Sequence, residues 1–240
     1  MKIAIIGYGK MGRTIEGLIE GKHDIVLKIN SQNASKLTTE NLRKADVAIE
    51  FSTPDAAFNN ILKCFEANVP IVVGTTAWLD RLEEITQLCE QQKQALFYAS
   101  NFSIGVNLFF EFNRKLAKMM ADYPNYHLQI DEIHHTQKLD APSGTAITLA
   151  EGIMDVDESK YYDWTNEVSP YEDVIGIVSH RKEDVKGTHV ITYSSDIDTI
   201  EIKHTAHTRA GFALGAIKAA EWLIEGERKG VFSMKDMLVV

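Results

Sequence analysis

Several features that would take the chain outside the ordinary globular proteins are missing from its sequence. Its two cysteines, Cys64 and Cys89, have no paired motif, so we expect reduced core thiols and no disulfide framework. No apolar run approaches the roughly 18 residues of a membrane helix. An apolar strand begins directly after Met1 and leaves no room for a signal peptide, so we expect a cytoplasmic protein without a membrane partner.

An excess of positive charge is also missing. The 240 residues carry 25 Lys and Arg against 34 Asp and Glu, a formal net charge of -9 at pH 7. This balance argues against nucleic acid or an anionic membrane surface as a partner. With 45% hydrophobic residues, the chain can form one large domain or two modest ones.

The first hundred residues alternate apolar strands with helical patterns. Helices are predicted around Asp55–Ala67 and Trp78–Gln92. The predicted strands are Lys2–Ile6, Asp24–Ile29, Ala45–Phe51, Val69–Val73 and Ala95–Tyr98. This alternation predicts an α/β protein with a Rossmann-like, doubly wound parallel sheet, whose ligands bind beyond the carboxyl ends of the strands.

The first strand leads into a glycine-rich turn and then a helix, which is the setting of a dinucleotide-binding fingerprint. The turn reads, in order, Gly7, Tyr8, Gly9, Lys10, Met11 and Gly12. Its three glycines suit a tight turn, close approach of the pyrophosphate and close helix packing. The motif therefore predicts binding of NADPH or NADH; the alternative is a glycine-rich turn in a sheet without a nucleotide.

Coenzyme choice depends on the residue that follows the second strand. An NAD-preferring site usually has Asp or Glu there, which accepts the ribose 2′-hydroxyl, whereas this chain has Asn30. The neutral amide can bond the hydroxyl without opposing a phosphate, and Lys28 and Lys36 are either solvated or available to a 2′-phosphate. We expect use of both coenzymes, with a modest lean toward NADPH.

The pattern changes after residue 104 and predicts a smaller α+β domain with an open mixed sheet. A long amphipathic helix is predicted at Gly105–Met120, and helices at Ala210–Ile224 and Phe232–Leu238 end the chain. The strands predicted between them are Tyr126–Ile133, Val174–Ser179, Thr188–Ser194 and Thr199–His204, the last with one buried and one polar face. Residues 155–173 are predicted to form a polar, aromatic surface loop whose role stays open.

Residues 132–146 read E-I-H-H-T-Q-K-L-D-A-P-S-G-T-A and combine proton donors with anion binders. Ser143 is a good helix N-cap, after which the backbone N–H groups of Gly144 and Thr145 suit a carboxylate or phosphate. Lys138 adds a positive charge, and a histidine can exchange a proton near neutral pH. The segment predicts protonation of an anionic substrate.

Two other interpretations of this segment have less support. A solvated strand end is the simplest interpretation of a His-His pair taken alone. Adjacent residues of a strand point to opposite faces, so His134 and His135 can share a pocket only where the strand ends. A zinc site would draw on His127, Asp131, Glu132, His134 and His135. With no cysteine pair and no H-E-x-x-H motif in the chain, we expect no metal.

The string E-x-H-H-x-x-K-x-D-A-P-S-G-T-A resembles the signature of the 4-hydroxy-tetrahydrodipicolinate reductase family, and the likeness covers essentially the whole chain. The resemblance implies NAD(P)H-dependent reduction of a cyclic dicarboxylate, 4-hydroxy-tetrahydrodipicolinate, to tetrahydrodipicolinate in lysine and diaminopimelate biosynthesis. Two loops resemble the family's contacts beside the nicotinamide: Gly74, Thr75 and Thr76, and Ala99, Ser100, Asn101 and Phe102. The chain departs from the common pattern at Thr136-Gln137, where a basic pair often precedes the lysine.

The resemblance also implies residue roles and an assembly. It makes His134 the proton donor and Lys138 a second catalytic group. The substrate-binding residues that it implies are His135, Ser143, Gly144 and Thr145. It assigns residues 1–104 and 208–240 to a dinucleotide-binding domain and residues 105–207 to a substrate-binding domain through which a homotetramer forms.

Some side chains and two other functions stay open. Asp140 either orients Lys138 or adds to the helix start, and Arg181, Lys182 and Arg209 either reach the substrate or lie on the surface. A dinucleotide-binding regulator would bind coenzyme without oxidising it. A different Rossmann dehydrogenase, for a sugar or an amino acid, would ignore the cyclic dicarboxylate.

Overall fold

The computed structural model describes residues 1–157, 160–208 and 210–238, and the chain divides into two compact units. Unit 1 comprises Met1–Ile104 and Ala210–Val240, and unit 2 comprises Gly105–Arg209. The side chain of Arg209, for which two interpretations stay open, lies outside the described residues. Within those residues, none of the helices has the length and apolar character to cross a membrane.

Unit 1 is built on a six-stranded sheet whose recorded strand pairs are all parallel. Numbered along the whole chain, its strands are β1 (Lys2–Ile6), β2 (Asp24–Ile29), β3 (Val47–Glu50), β4 (Ile71–Val73), β5 (Ala95–Tyr98) and β11 (Gly230–Phe232). Their spatial order is β11-β5-β4-β3-β1-β2, so the winding reverses between β1 and β3. The predicted Rossmann-like, doubly wound sheet is confirmed.

Helices supply the apolar residues that bury both faces of this sheet. They are α1 (Lys10–Ile19), α2 (Thr39–Leu42), α3 (Pro54–Ala67), α4 (Leu82–Gln91), α7 (Ala210–Glu225) and α8 (Met234–Leu238), with 3₁₀ turns at Ala34–Lys36 and Leu79–Arg81. Along β1, Ile6 packs into one core and Ile5 into the other, as the alternation of a strand requires. Cys64 and Cys89 are buried free thiols, as predicted.

Unit 2 contains a mixed five-stranded sheet with the order β10-β9-β6-β8-β7. Its strands are β6 (His127–His134), β7 (Asp163–Thr165), β8 (Val174–Arg181), β9 (Thr188–Ser194) and β10 (Thr199–Thr205). β6 is central and pairs parallel with β8 and antiparallel with β9. The helices α5 (Ile104–Met120) and α6 (Gly144–Met154) share one hydrophobic core with Ile130, Ile177 and Ile191 of the sheet.

Three details differ from the predictions. The segment predicted as a loop contains β7, and the helix predicted from Phe232 begins at Met234 because Phe232 belongs to β11. Both strands have three residues, too few for a period, and both form by pairing: β7 pairs with the start of β8, and β11 pairs with β5, which is distant in sequence. The buried face predicted for β10 is only partly present, because Ile202 packs against the core of unit 2 but is only partly buried, and Ile200 is exposed.

Candidate active site

The central strand β6 carries an acid and an imidazole on its buried face. Glu132 is completely buried and His134 is 8% exposed, and their positions two residues apart place both side chains on one face. The Nδ1 atom of His134 lies 3.2 Å from Oε2 of Glu132, which is an ion-pair distance. β6 ends at His134, so His135 meets the condition under which neighbouring histidines can share a pocket.

Glu132 joins three parts of unit 2. Its Oε2 accepts a hydrogen bond of 3.1 Å from the Ser143 backbone N–H, and its Oε1 lies 3.2 and 3.3 Å from the two terminal nitrogens of Arg181. Burial opposes a charge on this carboxyl, but the contacts with His134 and Ser143 outweigh it and hold its pKa well below the usual range. Glu132 is therefore a buried carboxylate.

The start of α6 lies against this carboxylate. The Ser143 hydroxyl accepts a bond of 3.2 Å from the Ala146 N–H, which confirms the predicted N-cap, and it also lies 3.2 Å from Nε2 of His189. With Ser143 only 3% exposed, its hydroxyl is engaged inside the protein. Among the described residues, a side chain added at Gly144 would meet no atom within 4 Å of its Cβ, so the first turn of α6 is accessible.

Two further side chains belong to the cluster: His189, which the sequence analysis did not single out, and Arg181, for which it left open whether the side chain reaches the substrate or lies on the surface. His189 is the ladder partner of Glu132 in β9, and Arg181 is the ladder partner of His134 in β8. Burial, followed by the nearby His134, lowers the pKa of His189 to about 3, so this imidazole is neutral. Its ring stands edge-on to that of His134, with 5.2 Å between the centroids.

The lysine of the motif is held by the nearby aspartate. Nζ of Lys138 donates to both carboxylate oxygens of Asp140, at 2.8 and 2.6 Å, and this bonding lowers the pKa of Asp140. Of the two interpretations of Asp140, the structure therefore supports the one in which it orients Lys138. Arg181 donates to the backbone carbonyls of Lys138 and Asp140, at 3.4 and 2.6 Å, while Lys182 is exposed.

Near His135 lies an open cavity of about 650 Å³. It is lined by His135, Thr136, Gln137, Glu183, Asp184, Lys186, His207 and Thr208. The six predicted catalytic and substrate-binding residues all lie in unit 2. His134, Lys138 and Ser143 contact Glu132 or Arg181, and Gly144 and Thr145 follow Ser143 in the first turn of α6. His135 lines the cavity together with Lys186 and His207.

Glu132, His134 and His189 also satisfy the distance requirement for a metal site. One ligand-capable atom from each side chain falls within 4.8 Å of the others, and all three side chains are buried. Arg181, however, already brings a positive charge to the Glu132 carboxylate, and its repulsion opposes a second cation. The arrangement favours proton chemistry over metal ligation.

In unit 1, the glycine-rich turn has the geometry that a dinucleotide needs. Gly7 has φ +94, and its N–H and that of Tyr8 bond the Ile29 carbonyl at the end of β2. A Cβ on Gly12 would lie 2.8 Å from the Gly7 carbonyl, so α1 packs closely on the turn. A Cβ on Gly9 would meet none of the described atoms within 4 Å, which leaves its backbone accessible.

The loops after β3, β4 and β5 meet at the carboxyl edge of the same sheet. The Ser52 N–H donates to the Thr75 hydroxyl at 2.8 Å, and the Phe51 ring stands edge-on to Phe102 with 5.8 Å between centroids. Beneath them Glu50 is fully buried and accepts from Ser52 and from Asn60. Of the predicted coenzyme residues in these loops, Thr75, Ala99 and Phe102 are buried, Gly74 and Asn101 are half-buried, and Thr76 and Ser100 are exposed.

The polar side chains at the end of β2 already have partners within the protein. Oδ1 of Asn30 accepts from the backbone N–H groups of Gln32 and Asn33, at 2.9 and 3.2 Å, so this oxygen stabilises its own loop. Lys28 is neither simply solvated nor unpaired, because Glu16 on α1 binds its ammonium group. Glu16 also accepts from the Tyr8 hydroxyl in the glycine-rich turn.

The fold and the residues of the two candidate sites together indicate one class of protein. A doubly wound sheet with a glycine-rich turn, together with a separate unit that carries a buried acid, histidines and a lysine, defines a dinucleotide-dependent oxidoreductase. Family models described as "Dihydrodipicolinate reductase, N-terminus" and "Dihydrodipicolinate reductase, C-terminus" match residues 1–102 and 105–238. The chain belongs to the dihydrodipicolinate reductase family.

Individual relatives agree with this membership. The chain is 49% identical over 241 residues to the 4-hydroxy-tetrahydrodipicolinate reductase of Christiangramia forsetii, with 99% of this chain and 98% of the relative covered. It is 38% identical to the enzyme of that name from Methanosarcina barkeri, with 81% and 73% covered.

Solved structures extend the comparison to the fold. Dipicolinate-bound dihydrodipicolinate reductase from Paenisporosarcina sp. TG-14 superimposes with a TM-score of 0.79 at 27% identity, over 100% of this chain and 99% of that one. A probable dehydrogenase from Thermotoga maritima, 10% identical with a TM-score of 0.55 over 100% and 93% of the two chains, shares the fold alone.

Proposed function

We propose that the chain reduces 4-hydroxy-tetrahydrodipicolinate, with unit 1 holding the NADH or NADPH that supplies the hydride and unit 2 holding the cyclic dicarboxylate and supplying the proton. Water leaves the ring, hydride adds to one ring carbon, a proton adds to its neighbour, and tetrahydrodipicolinate and NAD(P)⁺ are released. The observation that carries the proposal is the pair of His134 and the buried Glu132 carboxylate, beside the start of α6.

His134 is the proposed proton donor. Because Glu132 is a carboxylate and only accepts, it favours a proton on the facing Nδ1, and Nε2 becomes the nitrogen that exchanges a proton with the substrate. Among the described residues, the His134 Nδ1 atom has no hydrogen-bond partner, so the contact of 3.2 Å is an ion pair only, and catalytic contacts commonly tighten when substrate binds.

Two carboxylates of the substrate need two positively polarised partners. The first turn of α6 offers the N–H groups of Gly144 and Thr145 at the positive end of a helix dipole, and Ser143 sets that turn in place. Lys138, oriented by Asp140, is the proposed second catalytic group and carries the positive charge that the other carboxylate requires. His135 binds the substrate from the cavity side, and the dipicolinate held by the Paenisporosarcina relative is a ligand of the same chemical kind.

The remaining assignments concern the coenzyme and the assembly. Residues 1–104 and 208–240 are the proposed dinucleotide-binding domain, whose contacts come from Gly7 to Gly12, Asn30 and the loops after β4 and β5. Residues 105–207 are the proposed oligomerisation domain of a homotetramer. Support comes from the edge strand β10 and its hairpin, where Ile197 is 92% exposed and Ile200 is 37% exposed.

A coupled assay tests the reaction. The synthase that condenses pyruvate with aspartate semialdehyde generates the substrate in place, and the absorbance of NADPH or NADH is followed. We expect oxidation of both coenzymes that depends on the synthase. Coenzyme binding without oxidation would identify a regulator, and oxidation that requires a sugar or an amino acid instead would identify a different dehydrogenase.

A further inference from the structure

We propose that Arg181 is a positioning residue for both catalytic groups of the proposed function, on which this inference rests. Its guanidinium fixes the carboxylate that faces His134, and it also holds the backbone of the loop that carries Lys138. Arg181 thus ties the proton donor and the lysine into one rigid arrangement.

The contacts of Arg181 use its whole planar fork. Nη1 and Nη2 lie 3.2 and 3.3 Å from Oε1 of Glu132, and Nη2 donates to the Asp140 carbonyl at 2.6 Å. Nε donates to the Lys138 carbonyl at 3.4 Å, and Nη1 also bonds the His180 carbonyl at 3.0 Å. A lysine, with one ammonium group on a flexible stem, cannot reproduce this set of directions.

The fold explains why the arginine stands here. β8 ends at Arg181, the ladder partner of His134, so the side chain begins beside the histidine that it influences. Glu132 is fully buried, and Arg181 itself is largely buried, with 22% of its side chain exposed. Removing one partner of a buried charged pair leaves the other without compensation, so Glu132 should reorganise when the guanidinium is lost.

The charged groups around His134 and Glu132 determine how the pH profile of kcat is interpreted. His189 of β9 stands 3.9 Å from the Glu132 carboxylate and is neutral, and Nζ of Lys138 is paired with Asp140 in the loop. Among the described residues, Glu132 supplies the carboxylate that pairs with His134, at 3.2 Å, and Arg181 determines the position of that carboxylate. A change at Arg181 should therefore reach the catalytic proton through Glu132.

The test compares Arg181→Lys, which keeps the charge and loses the fork, with Glu132→Gln, which keeps the shape and loses the charge. Misplacement of reacting groups by about 1 Å costs about 10²-fold in rate. We expect each variant to lower kcat by about that factor, to change the pH profile of kcat and to leave the Kd for coenzyme unchanged. The ¹⁵N shifts of the His134 ring should move in both variants.

Glu221→Gln is the matched control, because Glu221 is a carboxylate that faces an imidazole, His23, at 2.9 Å in unit 1. It should leave the kcat, its pH profile and the His134 shifts unaltered. The positioning role would be overturned if the folded Arg181→Lys and Glu132→Gln proteins had the wild-type kcat. It would also be overturned if both variants were less stable but kept the pH profile of kcat and the His134 ring shifts of the wild type. If Arg181→Lys does not fold, Glu132→Gln decides by the same readouts. A wild-type protein without turnover refutes the proposed function instead.

Discussion

His134 and Arg181 are ladder partners in the parallel pair of β6 and β8, and each is the last residue of its strand. The carboxyl ends of parallel strands meet at one edge of a sheet, so the His134 imidazole and the Arg181 guanidinium lie at the same edge of the unit 2 sheet. The helix α6 begins beside them, because the Ser143 N–H bonds Glu132. The reaction chemistry of unit 2 is concentrated where these three elements meet.

Replacement of the motif lysine should affect the chemical step. We expect Lys138→Ala to lower kcat by about 10²-fold or more, as for loss of a positioned proton donor. The affinity for coenzyme should not change, because Lys138 lies in unit 2. Steady-state kinetics and coenzyme titration provide the measurement, with the exposed α5 residue Lys118 changed to Ala as the control. Equal kcat for the Lys138→Ala and Lys118→Ala proteins would remove Lys138 from the mechanism.

Coenzyme selection should respond to the pair of Glu16 and Lys28. Glu16→Gln frees the Lys28 ammonium for a 2′-phosphate, so kcat/KM for NADPH relative to NADH should rise, by about 2- to 5-fold for an exposed charge interaction. High salt should reduce the gain. Asn30→Asp should shift the ratio toward NADH, since it adds a hydroxyl acceptor and a charge that repels phosphate. Ratios that stay at the wild-type value in both variants would show that this edge does not contact the ribose.

Glu50 should make stability depend on pH. Burial raises the pKa of this carboxyl despite hydrogen bonds from Ser52, Thr75 and Asn60. The folded-state pKa of Glu50 lies above the unfolded value of about 4.3. The contribution of Glu50 to the free energy of unfolding is therefore fully present below about pH 4.3 and is lost as pH rises through the folded-state pKa.

The neutral isostere Glu50→Gln should remove this loss. Thermal unfolding of both proteins from about pH 4 to pH 8 should give a flatter profile for the variant, with the difference in Tm moving in its favour as pH rises. Parallel profiles would mean that Glu50 does not titrate between those limits.

Planar aromatic dicarboxylates should inhibit competitively with the cyclic substrate. Their binding should weaken by about 10- to 10²-fold in Lys138→Ala, which loses a charged hydrogen-bond donor. Thr145→Val should weaken it less, because the backbone donors at the start of α6 survive. A bulky residue such as Leu at Gly144 should block the helix start, and inhibition constants for the three variants give the comparison. Unaltered inhibition of Gly144→Leu would exclude the helix N-terminus from the anion site.

The parts of the fold that local sequence determines were predictable. The turn from Gly7 to Gly12 and the helix cap at Ser143 each depend on a few consecutive residues. β11 was not predictable, because Gly230–Phe232 becomes a strand only by pairing with residues 95–97. The oligomeric state and the residue roles stay predictions.

Contacts that arise from strand register could not be predicted from the sequence. His189 lies 57 residues and Arg181 lies 49 residues from Glu132 in the sequence. The pairing of β6 with β9 and with β8 brings these side chains together. The sequence shows Lys28 near the expected site of the coenzyme ribose, but its partner Glu16 lies on the neighbouring helix α1. Contacts of this kind depend on packing, about which a single sequence carries little information.

Direct measurement of proton delivery by His134 tests the central claim. The coupled assay is run on wild-type protein and on His134→Gln, together with titration of NADPH and NADH against each protein. Loss of a positioned acid should lower kcat by about 10² to 10⁴-fold, while the Kd of each coenzyme stays within about twofold, since His134 belongs to unit 2. A folded His134→Gln protein that oxidises NAD(P)H at a rate near that of the wild type would contradict the assignment of His134 as proton donor.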